Sequence, residues 1–138
     1  MNERFYLDTS IWLDFFEDRN EHNLKKGDFA KNLISEIVEN GDKIVVSEVI
    51  KNELIGLKFS HYDIENLFFP YRKIIILVYS TKKQFGKAKD ISKKRNIPLL
   101  DALHAILARD YGAIMVTRDR HFQELLDIIK SKKPEEII

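Results

Sequence analysis

Short apolar runs alternate along this chain with longer stretches of helical periodicity, and this alternation constrains the fold more than any other feature. The runs cover Arg4 to Leu7, Lys43 to Ser47, Lys73 to Val78, Ala113 to Thr117 and, more weakly, Glu135 to Ile138. The first four are short and nearly continuous in hydrophobicity, which is typical of strands buried on both faces. Strands separated by helices form parallel sheets. The sequence therefore predicts an α/β fold, a three-layer α/β/α sandwich with a central, mostly parallel sheet of four to five strands.

Helical segments fill the intervals between the predicted strands. The clearest runs from Lys26 to Asn40, where apolar residues recur with a period of 3.6 and Asn40-Gly41 marks the end. The other predicted helices cover Ser10 to Glu17, Ser47 or Glu48 to Leu57, Tyr62 to Phe69, Lys82 to Arg95, Pro98 to just before Gly112, and Gln123 to Lys130. Two stretches, His22 to Asp28 and Lys130 to Lys133, are predicted to be surface loops.

Length and composition limit the kind of protein. A chain of 138 residues that is 44% hydrophobic suffices for one domain with a substantial core, so we expect a single domain over residues 1–138. The lack of cysteine excludes disulfides, thiolate metal sites and cysteine nucleophiles, and it fits a reducing compartment, so we expect the cytoplasm. We expect neither a signal peptide nor a membrane span.

With 23 basic and 22 acidic residues, bulk charge does not indicate a nucleic-acid binder, and any such binding must use local patches.

Four acidic residues occupy positions that are predicted to be buried, where a carboxylate requires a structural or functional explanation: Asp8, Glu53, Asp101 and Asp119. Asp8 and Asp119 follow predicted strands, and parallel sheets bind ligands at the carboxyl ends of their strands. Glu53 interrupts the apolar stripe of one helix, and Asp101 lies near the start of another. Because these helix starts open on the same edge of the sheet, we predict that all four converge in one pocket. Their mutual repulsion would be relieved there by a hard divalent cation.

Each acid also has an ordinary structural explanation. Glu53 at the edge of its stripe can extend to solvent, and Asp101 can complement the helix dipole. Asp8 can cap the helix that follows it, and Asp119 can form a turn. The hypothesis of a shared pocket therefore depends on the four residues together.

The order and spacing of these acids resemble the PIN domain, the nuclease fold of bacterial and archaeal toxin–antitoxin toxins and of several RNA-processing enzymes. The resemblance spans nearly the full length. It is carried by Leu7-Asp8-Thr9-Ser10, by Val49 to Gly56 around Glu53, by Leu100 to Ile106 around Asp101, and by Val116 to Phe122 around Asp119. Each motif is short and degenerate, and the composite is the specific signal. Many relatives carry an additional acid just before the closing phenylalanine, where this chain has His121.

The resemblance implies a metal-dependent ribonuclease in which all four acids take part in catalysis. Asp8, Asp101 and Asp119 would hold one or two Mg²⁺ or Mn²⁺ ions, for which oxygen ligands are suitable. Glu53 would be a further ligand or the base that orients the attacking water. RNA is the expected substrate. The resemblance further implies a homodimer and an antitoxin protein as a possible partner, with no membrane involved.

Neighbouring side chains are expected to support this site. Ser10 and Thr117 flank the acids, and their hydroxyls are expected to hydrogen-bond to a carboxylate or to metal-coordinated water; helix capping and strand-end bonding are the alternatives. His104 and His121 are not expected to be primary ligands. Three basic residues are candidate contacts to substrate phosphates, with ordinary surface charge as the alternative: Lys51, Arg118 and Arg120.

Two other functional classes fit the same fold. A phosphoacceptor signalling domain needs an aspartate after the third strand, but Tyr79-Ser80-Thr81 follow that strand here, which disfavours this class. A catalytically inactive PIN-fold module that binds RNA or an antitoxin is the stronger alternative, because a fold can persist after its chemistry is lost. Saturable Mn²⁺ binding would separate the enzyme from the inactive module.

Overall fold

A parallel sheet of five strands forms the centre of the molecule in the computed structural model, which describes residues 2–138. The strands are β1 (Arg4–Leu7), β2 (Lys43–Ser47), β3 (Ile75–Val78), β4 (Ile114–Val116) and β5 (Ser131–Lys132). They lie in the order β3-β2-β1-β4-β5, and every neighbouring pair is parallel. Phe5 of the central strand β1 lies opposite Ile44 on one side and Ile114 on the other. The predicted α/β architecture is confirmed.

Helices cover both faces of this sheet. They are α1 (Thr9–Phe16), α2 (Lys26–Asn40), α3 (Glu48–Gly56), α4 (His61–Phe68), α5 (Lys82–Arg95), α6 (Leu99–Asp110) and α7 (Pro134–Ile137), with 3₁₀ helices at Phe69–Tyr71 and Arg120–Leu125. The chain moves outward from β1 to β3 and then returns across the sheet to β4. Right-handed crossovers therefore place α1 to α4 on one face and α5 and α6 on the other. In residues 2–138, no helix combines the length and hydrophobicity required to cross a membrane.

Polar side chains at the helix starts explain where several helices begin. The Ser60 hydroxyl accepts the Asp63 N–H at the start of α4, and Thr81 accepts the Gln84 N–H at the start of α5. The N-cap of α1 is Asp8, whose carboxylate accepts the Thr9 N–H, so this helix begins at Thr9, one residue before the predicted start at Ser10.

Large apolar side chains from both sheet faces form the core. Tyr6, Trp12 and Phe122 are among the largest fully buried residues. The Trp12 ring stacks on Phe16 with ring centroids 5.5 Å apart and meets the edge of Phe68 at 4.8 Å. This aromatic packing holds α1 against α4, and α1 begins directly after Asp8 at the end of β1.

The end of the chain differs from the prediction. Glu135 to Ile138, predicted as a weak strand, lies mostly in α7, whereas the edge strand β5 falls within the stretch predicted as a loop. Pro134 is the reason, because proline suits a first helical turn, and the Lys133 N–H is capped by the Glu136 carboxylate at 2.7 Å. The helix predicted from Gln123 is also wrong, since the 3₁₀ helix ends at Leu125 and is followed by turns.

Two helical glycines are expected to respond oppositely to alanine. A Cβ at Gly27 would lie 2.9 Å from backbone atoms of Asp18 and Arg19, whereas a Cβ at Gly86 would have nothing within 4 Å. We expect Gly27→Ala to destabilise the fold by about 1–3 kcal/mol because the loop must move. Gly86→Ala should stabilise it by about 1 kcal/mol. Urea denaturation measures both, and changes of the same sign would contradict the packing described.

Candidate active site

The four predicted acidic residues line one cleft at the carboxyl edge of the sheet. The cleft has a volume of about 450 Å³ and is lined by Asp8, Thr9, Ser10, Leu13, Glu53, Leu57, Asp101, Arg118 and Asp119. Asp8 and Asp119 meet because they follow β1 and β4, which are adjacent strands. Glu53 comes from α3 and Asp101 from the first turn of α6. The strand order therefore gathers acids from four distant parts of the chain.

Asp8 is the most deeply buried of the four acids. Its Oδ1 accepts the Thr9 N–H at 2.8 Å, and its Oδ2 accepts the hydroxyls of Thr117 at 2.9 Å and Ser10 at 3.2 Å. Burial raises the pKa of the Asp8 carboxyl, and the two hydroxyl donors oppose that shift. Ser10 and Thr117 thus contact Asp8 as the sequence suggested, and the Thr117 hydroxyl also accepts the Asp119 N–H at 3.0 Å.

Glu53 is held through one of its two carboxylate oxygens. Its Oε1 accepts the Thr9 hydroxyl at 2.9 Å and also pairs with the Nε2 of the buried His104. Burial alone would raise the pKa of Glu53, but hydrogen bonds from His104 and Thr9 bring it below its ordinary value. Glu53 is therefore an anchored, ionised side chain at the cleft and does not simply extend into solvent.

Asp101, Asp119 and His121 form a tight cluster, and its two aspartates line the cleft. One ligand atom from each lies within 4.8 Å of the others. The His121 Nδ1 lies 2.9 Å from Asp101 Oδ2 and 2.9 Å from Asp119 Oδ1. Burial and the charges of Asp119 and Asp8 raise the pKa of Asp101 to about 6. The charge of Asp119 likewise raises the pKa of the exposed His121 imidazole. A positive charge is therefore favoured between these two carboxylates.

The donor set of this cleft fits a hard divalent cation. The acids supply carboxylate oxygens, which are the ligands that Mg²⁺ and Mn²⁺ prefer. The raised pKa of Asp101 shows that another negative charge is costly here unless a cation compensates it. The ligand atoms of Asp101 and Asp119, together with His121 Nδ1, are close enough to share such an ion. Asp8 lines the same cleft but is not a member of that close group.

A family model of the PIN domain matches residues 5–126 of this chain. The chain belongs to the PIN domain family. The match confirms the resemblance carried by the motifs around the four acids.

Solved structures share this PIN fold over almost the whole chain. VapBC2 from Rickettsia felis, bound to a DNA fragment from their promoter, has a TM-score of 0.67 and 18% identity, covering 94% of this chain and 98% of that chain. A toxin–antitoxin complex from Klebsiella pneumoniae has a TM-score of 0.63 and 18% identity, covering 94% and 97%. VapBC-1 from nontypeable Haemophilus influenzae has a TM-score of 0.67 and 21% identity, covering 96% and 98%. No relative was found among curated proteins.

The three basic candidates of this PIN domain lie in different surroundings. Lys51 is 3.5 Å from Glu65 and lines a separate apolar groove beside α4. Arg118 lines the acidic cleft, but its guanidinium lies 2.8 Å from the Glu135 carboxylate. Arg120 is exposed next to the cleft, in a small pocket whose other basic lining residues include Lys132 and Lys133. Arg120 is therefore the best placed of the three to meet a phosphate at the cleft.

Sequence reasoning missed Thr9, which supports the PIN domain cleft, and considered His104 and His121 only to set them aside as primary metal ligands. Thr9 and His104 hold Glu53, and His121 bridges Asp101 and Asp119. A signal for His104 was present, because an imidazole within the apolar run from Leu103 to Ile106 needs hydrogen-bond partners once it is buried. Which residues supply those partners depends on the sheet order.

Proposed function

We propose that this PIN domain is a divalent-metal-dependent endoribonuclease, the toxin of a toxin–antitoxin pair. It would act on RNA in the cytoplasm as a homodimer, with residues 1–138 as one nuclease domain. The observation that carries this proposal is the convergence of Asp8, Glu53, Asp101 and Asp119 in a single cleft. Membership of the PIN family and the toxin–antitoxin complexes among the proteins of similar fold support the toxin role and an antitoxin partner.

In this proposal Asp8, Asp101 and Asp119 hold one or two Mg²⁺ or Mn²⁺ ions. When bound, the cation supplies Lewis acidity that makes water a better nucleophile and neutralises charge on the phosphodiester. Ser10 and Thr117 donate to Asp8 and so fix the direction in which its carboxylate faces the cleft. Arg120 supplies positive charge at the rim for the RNA backbone.

Glu53 orients the attacking water in this proposal. Its Oε1 is occupied by Thr9 and His104, which leaves Oε2 as the oxygen available to the cleft. Because its pKa is lowered, Glu53 is ionised at neutral pH and accepts a hydrogen bond, but it is a weak proton acceptor. Its contribution is therefore mainly to place the water for attack on the phosphorus.

Exposed apolar side chains on and after α4 support the proposed protein contacts. Tyr62 is 76% exposed and Phe69 is 60% exposed. Large exposed apolar groups that lie on one side of a molecule are typical of protein–protein interfaces. We assign this surface to the homodimer or to the antitoxin.

An RNA cleavage assay with controlled divalent ions tests the proposed activity. Structured and unstructured RNA are incubated with protein in excess EDTA, in Mg²⁺ and in Mn²⁺. We expect cleavage only with an ion present, because the clustered carboxylates need a cation to engage a phosphodiester. An Asp8→Asn sample purified in parallel identifies contaminating nuclease. Cleavage in EDTA, or no cleavage of either RNA with either ion, would refute the proposed reaction.

A catalytically inactive PIN-fold module for RNA or an antitoxin is the second candidate. The contact of His121 with both Asp101 and Asp119 favours it, because a protonated imidazole there offsets the same negative charge as a metal ion. Calorimetric titration with Mn²⁺ separates the two candidates. Saturable binding supports the enzyme, and no binding at neutral pH supports the inactive module.

A further inference from the structure

A buried chain of hydrogen bonds runs beneath the cleft and ends at Glu53. The Ser47 hydroxyl lies 2.8 Å from the Tyr6 hydroxyl, which lies 2.6 Å from the Nδ1 of His104. The other ring nitrogen of His104, Nε2, contacts Glu53 Oε1. Ser47, Tyr6 and His104 are all fully buried. Water is therefore excluded from most of the chain, and its groups depend on one another for partners.

The direction of these bonds follows from which groups can donate. Glu53 Oε1 already accepts the Thr9 hydroxyl, so a carboxylate at this place can only accept from its second partner as well, and His104 carries the shared proton on Nε2. If Nδ1 is bare, the Tyr6 hydroxyl donates to it and the Ser47 hydroxyl donates to Tyr6, while Ser47 still accepts the Ile50 N–H. Every donor in the chain then has an acceptor. If Nδ1 is protonated, Tyr6 donates to Ser47, and within residues 2–138 the Ser47 hydrogen has no acceptor.

We propose that His104 is a positioning residue for Glu53, held as the Nε2–H tautomer by the Ser47–Tyr6 pair. The imidazole pulls Glu53 Oε1 inward together with the Thr9 hydroxyl, and this fixes Oε2 toward the cleft. The inference rests on the proposed function, because it assigns the geometry of a side chain that orients water there. It adds Tyr6, Ser47 and His104 to the residues on which the reaction depends, although none of them lines the cleft.

The simpler explanation is that this network only satisfies polar groups in the core. If the network were purely structural, the effect of replacing His104 would depend only on how well the new side chain packs. Its loss would then not lower kcat selectively over KM. A positioning network predicts that the N–H donor to Glu53 is the feature that matters. The two explanations therefore differ in how the protein responds to an apolar and to an N–H-bearing substitute of His104.

Two variants of His104 make this comparison. His104→Leu removes the donor and is expected to lower kcat for RNA by about 10- to 100-fold with KM nearly unchanged, the usual effect of losing an outer partner of a metal site. His104→Gln keeps an N–H that can reach Glu53 and is expected to restore most of kcat. Tyr111→Phe, a hydroxyl deletion at the far end of α6, serves as the control and should retain parental kcat. Equal losses in the two His104 variants, or a loss carried mainly by KM, would overturn the positioning role.

A spectroscopic test works whether or not the protein cleaves RNA. In ¹⁵N-histidine-labelled, metal-free protein, we expect the His104 resonances of a protonated Nε2 and an unprotonated Nδ1. Tyr6→Phe keeps the ring but removes the donor to Nδ1, so it should shift His104 toward a mixture of states. Two protonated nitrogens in the parent, or identical spectra in Tyr6→Phe, would overturn the assigned hydrogen-bond direction. An inactive parent with the expected spectrum would instead count against the proposed nuclease.

Discussion

Asp8→Asn is expected to lower RNA cleavage by at least about 100-fold and to weaken Mn²⁺ binding while the fold is retained. The loss of an outer partner of a metal site already costs 10- to 100-fold, and removing a proposed direct ligand should cost more. Stability should change little, because the asparagine oxygen can still accept the Thr9 N–H and its NH2 group can donate to the hydroxyl oxygens of Ser10 and Thr117, which reverses those two bonds. The variant also removes a buried carboxyl whose ionisation is disfavoured.

Asp42→Asn is the matched control for Asp8→Asn. Asp42 is also buried, and its Oδ1 accepts the Glu3 N–H at 2.9 Å, but it precedes β2 and so lies at the amino edge of the sheet. The same chemical change there should leave cleavage and Mn²⁺ binding at parental values. Initial cleavage rates, calorimetry and circular dichroism give the three readouts. Parental cleavage by Asp8→Asn would remove the cleft from the mechanism.

Asp101→Asn is expected to stabilise the metal-free protein at pH 7 while abolishing its response to divalent ions. Burial and the charges of Asp119 and Asp8 raise the pKa of Asp101 to about 6, so ionisation of this carboxyl costs folding free energy. One pKa unit corresponds to about 1.4 kcal/mol, and after allowance for solvent screening we expect a gain of about 1–2 kcal/mol. Saturating Mn²⁺ should raise the melting temperature of the parent and leave the variant unchanged.

The pH dependence of the metal-free protein follows from the same shift. The folded pKa of Asp101 lies above its unfolded value, so the folded state binds the extra proton between about pH 4 and pH 6. Its contribution to stability is greatest below that window and is lost as the pH rises through about 6. The raised pKa of His121 acts in the same direction at higher pH, because the stabilising imidazolium is lost as the pH rises through its folded pKa. Cation binding should become stronger as the pH rises over the same range, because protons on these groups compete with the ion.

Asp110→Asn on the same helix is the control for Asp101→Asn. Hydrogen bonds from Gln84 and Arg109, acting against partial burial, lower the pKa of Asp110, so removing its charge should cost stability. Chemical denaturation of the metal-free parent and of both variants at pH 5 and pH 7 measures the sign of the stability change that each substitution causes. Destabilisation by Asp101→Asn at pH 7, or a parent more stable at pH 7 than at pH 5 without metal, would contradict the charge crowding described.

The local patterns in the sequence were sufficient for most elements and for the acidic cleft. The run Phe5-Tyr6-Leu7 before Asp8 predicts a buried strand with an acid at its carboxyl end, and β1 ends at Leu7 as expected. Glu53 on an apolar helix stripe signals a carboxylate that needs partners, and its partners are Thr9 and His104. These predictions succeeded because a strand or helix period is a property of neighbouring residues.

Other features depend on contacts between distant residues. Ser131–Lys132 becomes a strand because β4 offers an open edge beside it, although its own sequence has no strand character. Arg118, a candidate phosphate contact from its position beside Asp119, turns its guanidinium to Glu135 because α7 returns to that place. The strand that pairs with Ser131–Lys132 and the carboxylate that pairs with Arg118 both lie far along the chain, so no local sequence pattern includes them.

The amino-acid sequence by itself determined the alternation of strands and helices, the family, and the four acids that line the cleft. Only the tertiary structure decided which oxygen of Glu53 is anchored, that His121 lies between Asp101 and Asp119, and that Tyr6 reaches His104. The physical reason is range. Periodicity and capping act over a few residues, whereas hydrogen-bond partners and carboxylate pKa values are set by side chains that the fold brings together from distant positions.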